Sequence, residues 1–344
     1  MKIVFFILFT AISGAFHTFS QDIHFSQMSQ NPLWINPAIT GVYKGWERVS
    51  ISHRSQWLGA TTQFQTTAIS ADVNLLKTKR NDKAHLGFGI MFWNDVGGDA
   101  NYGQRQGSIS LSGIVPMGGG NQLSAGIQAG IGARGGNMSD LVFESQWNGD
   151  FYDPTFASGE GVSLQSENFY DLSLGVNYLY DGESTSFARN EDLRFQAGFA
   201  VFHANQPEIR YAGIANDFLF RKFVAHTSFI TDVRGTRWSA EANAVALFQG
   251  PQNQIILGGL MRYRISQGSK ITGLKQDAYL AGGLFFRAGD ALIPTVQLDY
   301  KGFLFGISYD ATVSQLNNAY RGGSLEFSIV YRNLNHALFK KRKY

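Results

Sequence analysis

The chain has 344 residues, enough for one large or two ordinary domains, and no cysteine, which excludes a disulfide scaffold and a zinc–thiolate site. Charged residues make up 16% and aromatics 14%, and 39 glycines stand against 7 prolines, a balance that suits an all-β protein. The formal net charge of +3 is too small to point to nucleic acid, and no P-loop, zinc or RNA-recognition signature occurs.

Met1-Lys2 followed by the apolar run Ile3–Ile12 has the form of a secretory signal, and Thr18-Phe19-Ser20 offers a small residue at each cleavage-defining position. Residues 1–20 are therefore expected to be a signal peptide cut after Ser20. That run is too short to span a bilayer as a helix, and no apolar run of about 18 residues follows.

Residues 21–45 do not read as a strand. Asn31-Pro32 and Asn36-Pro37 favour turns or extended chain and remove ladder donors, yet Leu33, Trp34 and Ile35 between them call for burial. A segment that cannot pair but carries large apolar groups suits a plug or clamp folded against a preformed wall. Asn31, Pro32, Leu33, Trp34, Asn36 and Pro37 are its candidate residues.

From residue 46 to 332 the chain alternates. Strands are predicted at Val49–Trp57, Phe64–Asn74, Leu86–Trp93, Gln106–Val115, Gln122–Arg134, Tyr170–Tyr180, Leu193–His203, Phe223–Arg234, Trp238–Phe248, Gln254–Arg264 and Tyr279–Arg287. A hairpin over Ile293–Asp310, turning at Lys301-Gly302, and a last strand Leu325–Arg332 bring the total to about 14. Segments of about 9–12 residues match the length that crosses a tilted membrane barrel, and an even count leaves both ends on one side. Asp171, Arg194, Asp232, Glu241, Asp299, Asp310 and Glu326 all fall on the polar face. A bilayer enforces that segregation, because a lipid-facing arginine at the midplane costs about 2–4 kcal/mol. A soluble sandwich would enforce it too, but the many glycines on the polar face suit a lumen with something inside. The prediction is a single transmembrane antiparallel β-barrel, first strand paired to last. Its turns on the periplasmic side are Leu75–Lys83, Pro116–Asn121, Asp181–Asp192, Gly235–Thr236, Ile265–Leu274 and Lys301–Gly302. Its long outer loops are Asn94–Arg105, Gly135–Phe169, Ala204–Lys222 and Thr312–Arg321.

Chemistry is hard to place. The seven histidines are scattered and match no metalloprotease or serine-hydrolase spacing; His203 with Asp217 is the nearest approach to an acid–base pair. The long loop holds Asp140, Glu144, Asp150, Asp153, Glu160 and Glu167, without a contiguous calcium-loop pattern. Its Trp147, Phe151, Tyr152 and Phe156 are candidates for contact with a partner protein, or for packing over the barrel mouth. No catalytic, metal or cofactor residue is assigned. The tail 333–344, with Lys340-Lys341-Arg342-Lys343, reads first as a solvated periplasmic tail, with contact to anionic headgroups or an acidic partner as the alternative.

The opening Gln-Asp-x-His-Phe-Ser-Gln from Gln21, the Asn-Pro-Leu-x-x-Asn-Pro-Ala-x-x-Gly stretch ending at Gly41, Arg54-Ser55-Gln56-Trp57, Asn94-Asp95 and the Gly322-Gly323-Ser324-x-Glu326-x-Ser328 strand together resemble the PorP/SprF family of type IX secretion outer-membrane proteins. The resemblance covers essentially the whole chain; the tail after Arg332 is unmatched. It implies a barrel of about 14 strands, loosely similar to fatty-acid channels, in a Gram-negative outer membrane. It also implies a role in secretion or surface attachment of large proteins, including adhesins used in gliding. Implied partners are outer-membrane lipid, the secreted protein and other secretion components. The competing function is a fatty-acid-channel-like transporter or porin.

Overall fold

The computed structural model describes residues 22–58, 64–78, 83–136, 141–159, 166–182, 193–211, 214–266, 278–313 and 322–334. The expected signal peptide and most of the basic tail lie outside them. The strands are β1 (Glu47–Gln56), β2 (Phe64–Leu75), β3 (His85–Gly97), β4 (Tyr102–Gly118), β5 (Asn121–Gly135), β6 (Glu167–Asp181), β7 (Leu193–Phe202) and β8 (Glu208–Tyr211). After them come β9 (Ile214–Phe218), β10 (Lys222–Asp232), β11 (Trp238–Gln249), β12 (Gln252–Ser266), β13 (Ala278–Arg287), β14 (Ala291–Tyr300), β15 (Phe303–Thr312) and β16 (Ser324–Arg332). All except β8 and β9 form one closed antiparallel barrel of 14 strands, in chain order, with β1 hydrogen-bonded to β16.

Every predicted strand is present. Several run further than alternation alone indicated: Asn94 and Asp95 belong to β3, so the loop expected over 94–105 shrinks to a turn at 98–101. The β8–β9 hairpin, within a stretch read as plain loop, is a correction. It pairs Ile209 with Asp217, and Ile209 packs with Phe169 and Leu219 in a small separate cluster. Short elements with mixed sequence give too few residues for a period to show.

Closure leaves no unpaired edge, which is what lipid demands of a sheet. Outward positions are apolar and exposed along successive strands, among them Phe92, Ile109, Ile127, Ile131, Leu174, Val176, Val296 and Ile307. The charges turn inward: Asp171, Asp310 and Glu326 are buried, and Arg194, Asp232, Glu241 and Asp299 are half-buried. Pro294 sits on the outward face of β14. The β14–β15 register passes directly from Leu292↔Ala311 to Thr295↔Ser308 there, because proline has no N–H to donate. The turn below has φ of 51° at Lys301 and 85° at Gly302, the type I′ pattern that matches strand twist.

The two mouths differ. At the base, where β1 begins and β16 ends, connections include the two-residue turns 119–120 and 301–302. At the rim are the long connections 136–166 and 203–221, beside the short turns 250–251 and 288–290, so the expected division of long outer loops and short inner turns holds only in part.

Candidate functional site

Residues 22–46 lie inside the barrel, running from the rim at Asp22 to the base at Trp46, where β1 starts upward. The aromatic and aliphatic side chains of this segment find a dry interior: Phe25, Leu33, Trp34, Ile35 and Ile39 are all buried with luminal residues of the wall. The backbone cannot join the sheet ladder, so it coils into short turns at Met28–Gln30, Pro32–Ile35 and Pro37–Ile39. Pro32 and Pro37 each open a turn, at the position where a missing N–H costs nothing. Asn36 caps the last turn by accepting from Ala38 N at 2.8 Å.

Four sets of polar contacts hold the segment, from rim to base. At the rim Asp22 pairs with Lys222 and with His203 Nε2 at 3.3 Å, while His203 Nδ1 meets Asp171 at 2.9 Å. Burial alone would push the His203 imidazole down, but hydrogen bonds to Asp171 and Asp22 hold it above its ordinary pKa. Burial would likewise raise the Asp22 carboxyl, yet the Lys222 ammonium and His203 hold it far below the usual range. The Lys222 ammonium also lies 3.9 Å from the Trp34 ring centroid.

The second set grips Ser26 and Gln27. Glu326 accepts from Ser26 N at 2.6 Å and Gln27 N at 2.9 Å, and Ser328 Oγ donates to Gln27 Oε1 at 2.7 Å. Ser26 Oγ sits among Asp310, Arg54 and Arg287, at 2.7, 2.7 and 2.6 Å. Asp310 in turn joins Arg54 at 2.9 Å and Arg287 at 2.7 Å. These strands flank the β1–β16 seam, so the same charges fasten the segment and close the barrel.

The third set is Asn36, fully buried, whose Nδ2 donates to Val176 O at 2.9 Å and faces His226 Nε2 at 3.1 Å. A Cβ on Gly175 would stand 1.9 Å from Asn36 Oδ1, so only glycine fits behind it. The fourth set lies at the base. Asp72 accepts from Gly41 N at 2.8 Å and from Arg48 through two bonds of 2.8 Å, a fork-to-carboxylate pair. Ser124 Oγ donates to Ala38 O at 2.7 Å and Ser112 Oγ to Thr40 O at 2.5 Å.

The six residues singled out at Asn31–Pro37 are thus together, buried in the lumen. The long-loop aromatics form a different group. Trp147 and Tyr152 are bridged across a turn in which Asn148 Oδ1 accepts from Asp150 N and Phe151 N, both at 3.0 Å. Trp147, Phe151 and Phe156 are exposed and Tyr152 half-buried. No hydrogen bond or ring contact among the described residues joins them to residues 22–46. The Asp217 side chain lies outside the described residues; both nitrogens of His203 are engaged by Asp22 and Asp171. Among the described residues no group of three candidate ligands is placed to hold a metal ion.

Sequence reasoning missed Ser26, Gln27, Lys222, Asp72, Arg48 and Arg287 as partners. A signal was present for two pairs. Once β1 is registered on β2 and β16, Arg48 falls opposite Asp72 and Arg54 opposite Glu326.

The family described as Type IX secretion system membrane protein PorP/SprF matches residues 17–331. No curated protein matches the chain. Among solved structures, the CymD monoaromatic hydrocarbon channel is similar with a TM-score of 0.48 and 10% identity, over 91% of this chain and 94% of that one. BamA from Haemophilus ducreyi lacking POTRA domains 1-3 gives 0.43 and 9%, over 84% of this chain and 70% of that one. The TodX monoaromatic hydrocarbon channel deltaS2 mutant gives 0.43 and 10%, over 88% and 93%.

Proposed function

Starting from a chain that belongs to the PorP/SprF family of type IX secretion system membrane proteins, and whose closed barrel is an outer-membrane one, we propose that it is a plugged, non-enzymatic docking barrel. It serves secretion or surface retention of a large exported protein, such as an adhesin used in gliding. Residues 22–46 are the plug. The rim faces outward and the base faces the periplasm, following the usual placement of long loops outside and short turns inside. Trp147, Phe151, Tyr152 and Phe156 on the long rim loop contact the exported protein, since exposed aromatics on a loop are typical interface anchors. The base meets periplasmic components of the secretion machinery.

The observation that carries this reading is the engagement of the luminal segment from Asp22 to Gly41, with buried charge pairs at rim, seam and base. A wall built so heavily around one internal segment favours a scaffold over a conduit for hydrocarbons or small solutes. Deleting the gene is expected to abolish surface display of one large exported protein. Substituting Ser for Trp147 and Phe151 together is expected to reduce display while the barrel still assembles. Unchanged display in the deletion strain would refute the reading.

A further inference from the structure

The plug does not fill the lumen. Beneath Met28, Ile35 and Val42 lies a recess of ≈ 220 Å³, whose wall comes from β1, β7 and β10–β16. Four arginines line it, Arg48, Arg194, Arg262 and Arg332, against two carboxylates, Glu241 and Asp299. Asp72 takes Arg48 at 2.8 Å and Asp299 takes Arg332 at 2.6 Å. Glu241 stands 3.7 Å from Arg262, whose guanidinium lies over the Tyr279 ring at 4.6 Å. Arg194 is half-buried and forms no hydrogen bond or ion pair among the described residues, its charge being met at longer range by Asp181, opposite it on β6, and by Glu241. Arg332 Nε is buried with no acceptor.

Half-buried guanidinium groups without acceptors are costly unless an anion or water completes them. The positive field is felt nearby. Burial and then the Arg194 charge pull the Lys77 ammonium down to about 8. Base turns continue the sign with Lys77, Lys83, Arg234, Arg237 and Lys301, whereas the rim carries Asp99, Glu144, Asp150, Asp153 and Asp290.

We infer that the recess binds an acidic, partly apolar peptide segment of a periplasmic protein, with a carboxylate seated on Arg194 and an apolar side chain beneath Met28 and Ile35. Guanidinium and carboxylate match as two planar forks, a geometry that a lone point charge does not require. The apolar ceiling selects against a purely charged ligand. The recess lies inside the wall among the base ends of the strands, so the sheet separates it from the lipid phase. Its volume suits one or two side chains rather than a folded domain. This inference rests on the base facing the periplasm and supplies the chemistry of the contact proposed there. Its test uses binding by the purified protein, so its outcome is independent of cargo display.

The experiment is fluorescence anisotropy of the full-length protein in detergent with a labelled peptide of alternating Leu and Glu. The matching Leu and Gln peptide is the neutral probe. The acidic peptide is expected to bind and the neutral one not. Arg194→Gln should weaken binding about tenfold or more, the scale of a charge-assisted hydrogen-bond pair. Arg194→Lys, keeping charge but not the fork, should fall between. Lys301→Gln, in a base turn outside the recess, should change affinity less than about twofold. Ser228→Glu adds a carboxylate to the recess lining and should also weaken binding, which keeps the test available if Arg194→Gln does not fold. Equal binding of the neutral peptide overturns the inference. So does an equal loss in Arg194→Gln and Lys301→Gln, which would mean diffuse attraction. Displacement of the peptide by phosphatidylglycerol, dependent on Arg194, overturns it in favour of a lipid headgroup.

Discussion

The two sides of the lumen treat the same segment differently. On the β2–β6 side the wall presents glycine and serine, among them Gly87, Gly126, Ser112 and Ser124, to residues 36–41, whose backbone lies directly on it. A Cβ on Gly126 would come within 2.5 Å of the Pro37 carbonyl, and one on Gly87 within 2.3 Å of Thr40 O. Ser110, Ser112 and Ser124 bond the segment there. Toward the base of the β11–β14 side the wall carries Asn243, Arg262, Tyr279 and Gln297 and stands off from the segment to leave the recess, while nearer the rim Arg287 of β13 and Gln249 of β11 still bond the segment. Small residues therefore fix the plug by contact and leave no room to move. Long polar residues keep a space that water or a ligand can enter. Fixation and accessibility are divided across one lumen by side-chain size.

The comparison can be broken most strongly at the seam. Asp310→Ala strips the shared partner from Arg54 and Arg287, leaving them Glu326 at 3.8 Å and Asp290 at 2.9 Å, respectively, and removing one partner of a buried pair costs up to about 3–5 kcal/mol. Unfolding of the detergent-solubilised protein by urea should show that loss, together with new protease access to residues 22–31. Midpoints equal to wild type would mean that the charges do not fasten the plug. The next effect separates the two sides directly. Gly126→Val overpacks the tight side and should cost about 1–3 kcal/mol, while Gln297→Ala, facing the recess, should stay within about 0.5 kcal/mol. Equal costs by the same urea titration would erase the asymmetry.

The smallest expected effect is at the rim. His203 has its pKa raised in the folded protein, so the stability it contributes is fully present below its unfolded value of about 6.5. That stability is lost as pH rises through the raised folded value. The melting midpoint should therefore drift down from neutral toward alkaline pH, and His203→Gln should flatten the drift. A midpoint that rises over this interval would contradict the rim pairing. Asp22 has the opposite sign: its depressed carboxyl contributes above about 3.8 and fails only in strong acid.

Much of the wall was legible in the sequence because a period of two is imposed on it twice, by lipid outside and by the polar lumen inside. Ile127 and Ile131 alternate with Gln128 and Gly130, and the same alternation recurs in strand after strand. The unpaired character of residues 21–45 could also be read, since Pro32 and Pro37 remove ladder donors. What could not be read was which wall residue meets which plug residue. Ser26 and Glu326 are 300 positions apart, and neither follows any period that would bring them together. The Ser26 amide meets the Glu326 carboxylate because the luminal segment runs along the inward face of β16. The β8–β9 hairpin escaped for a different reason, being too short for alternation to register.

The central claim is that residues 22–46 occlude the lumen. Single-channel recording of the purified protein in a planar bilayer tests it most directly, beside a variant lacking residues 22–42. No steady open-pore conductance is expected for the intact chain, and a stable conductance for the shortened one. A steady conductance in the intact protein, equal to that of the shortened variant, would contradict it.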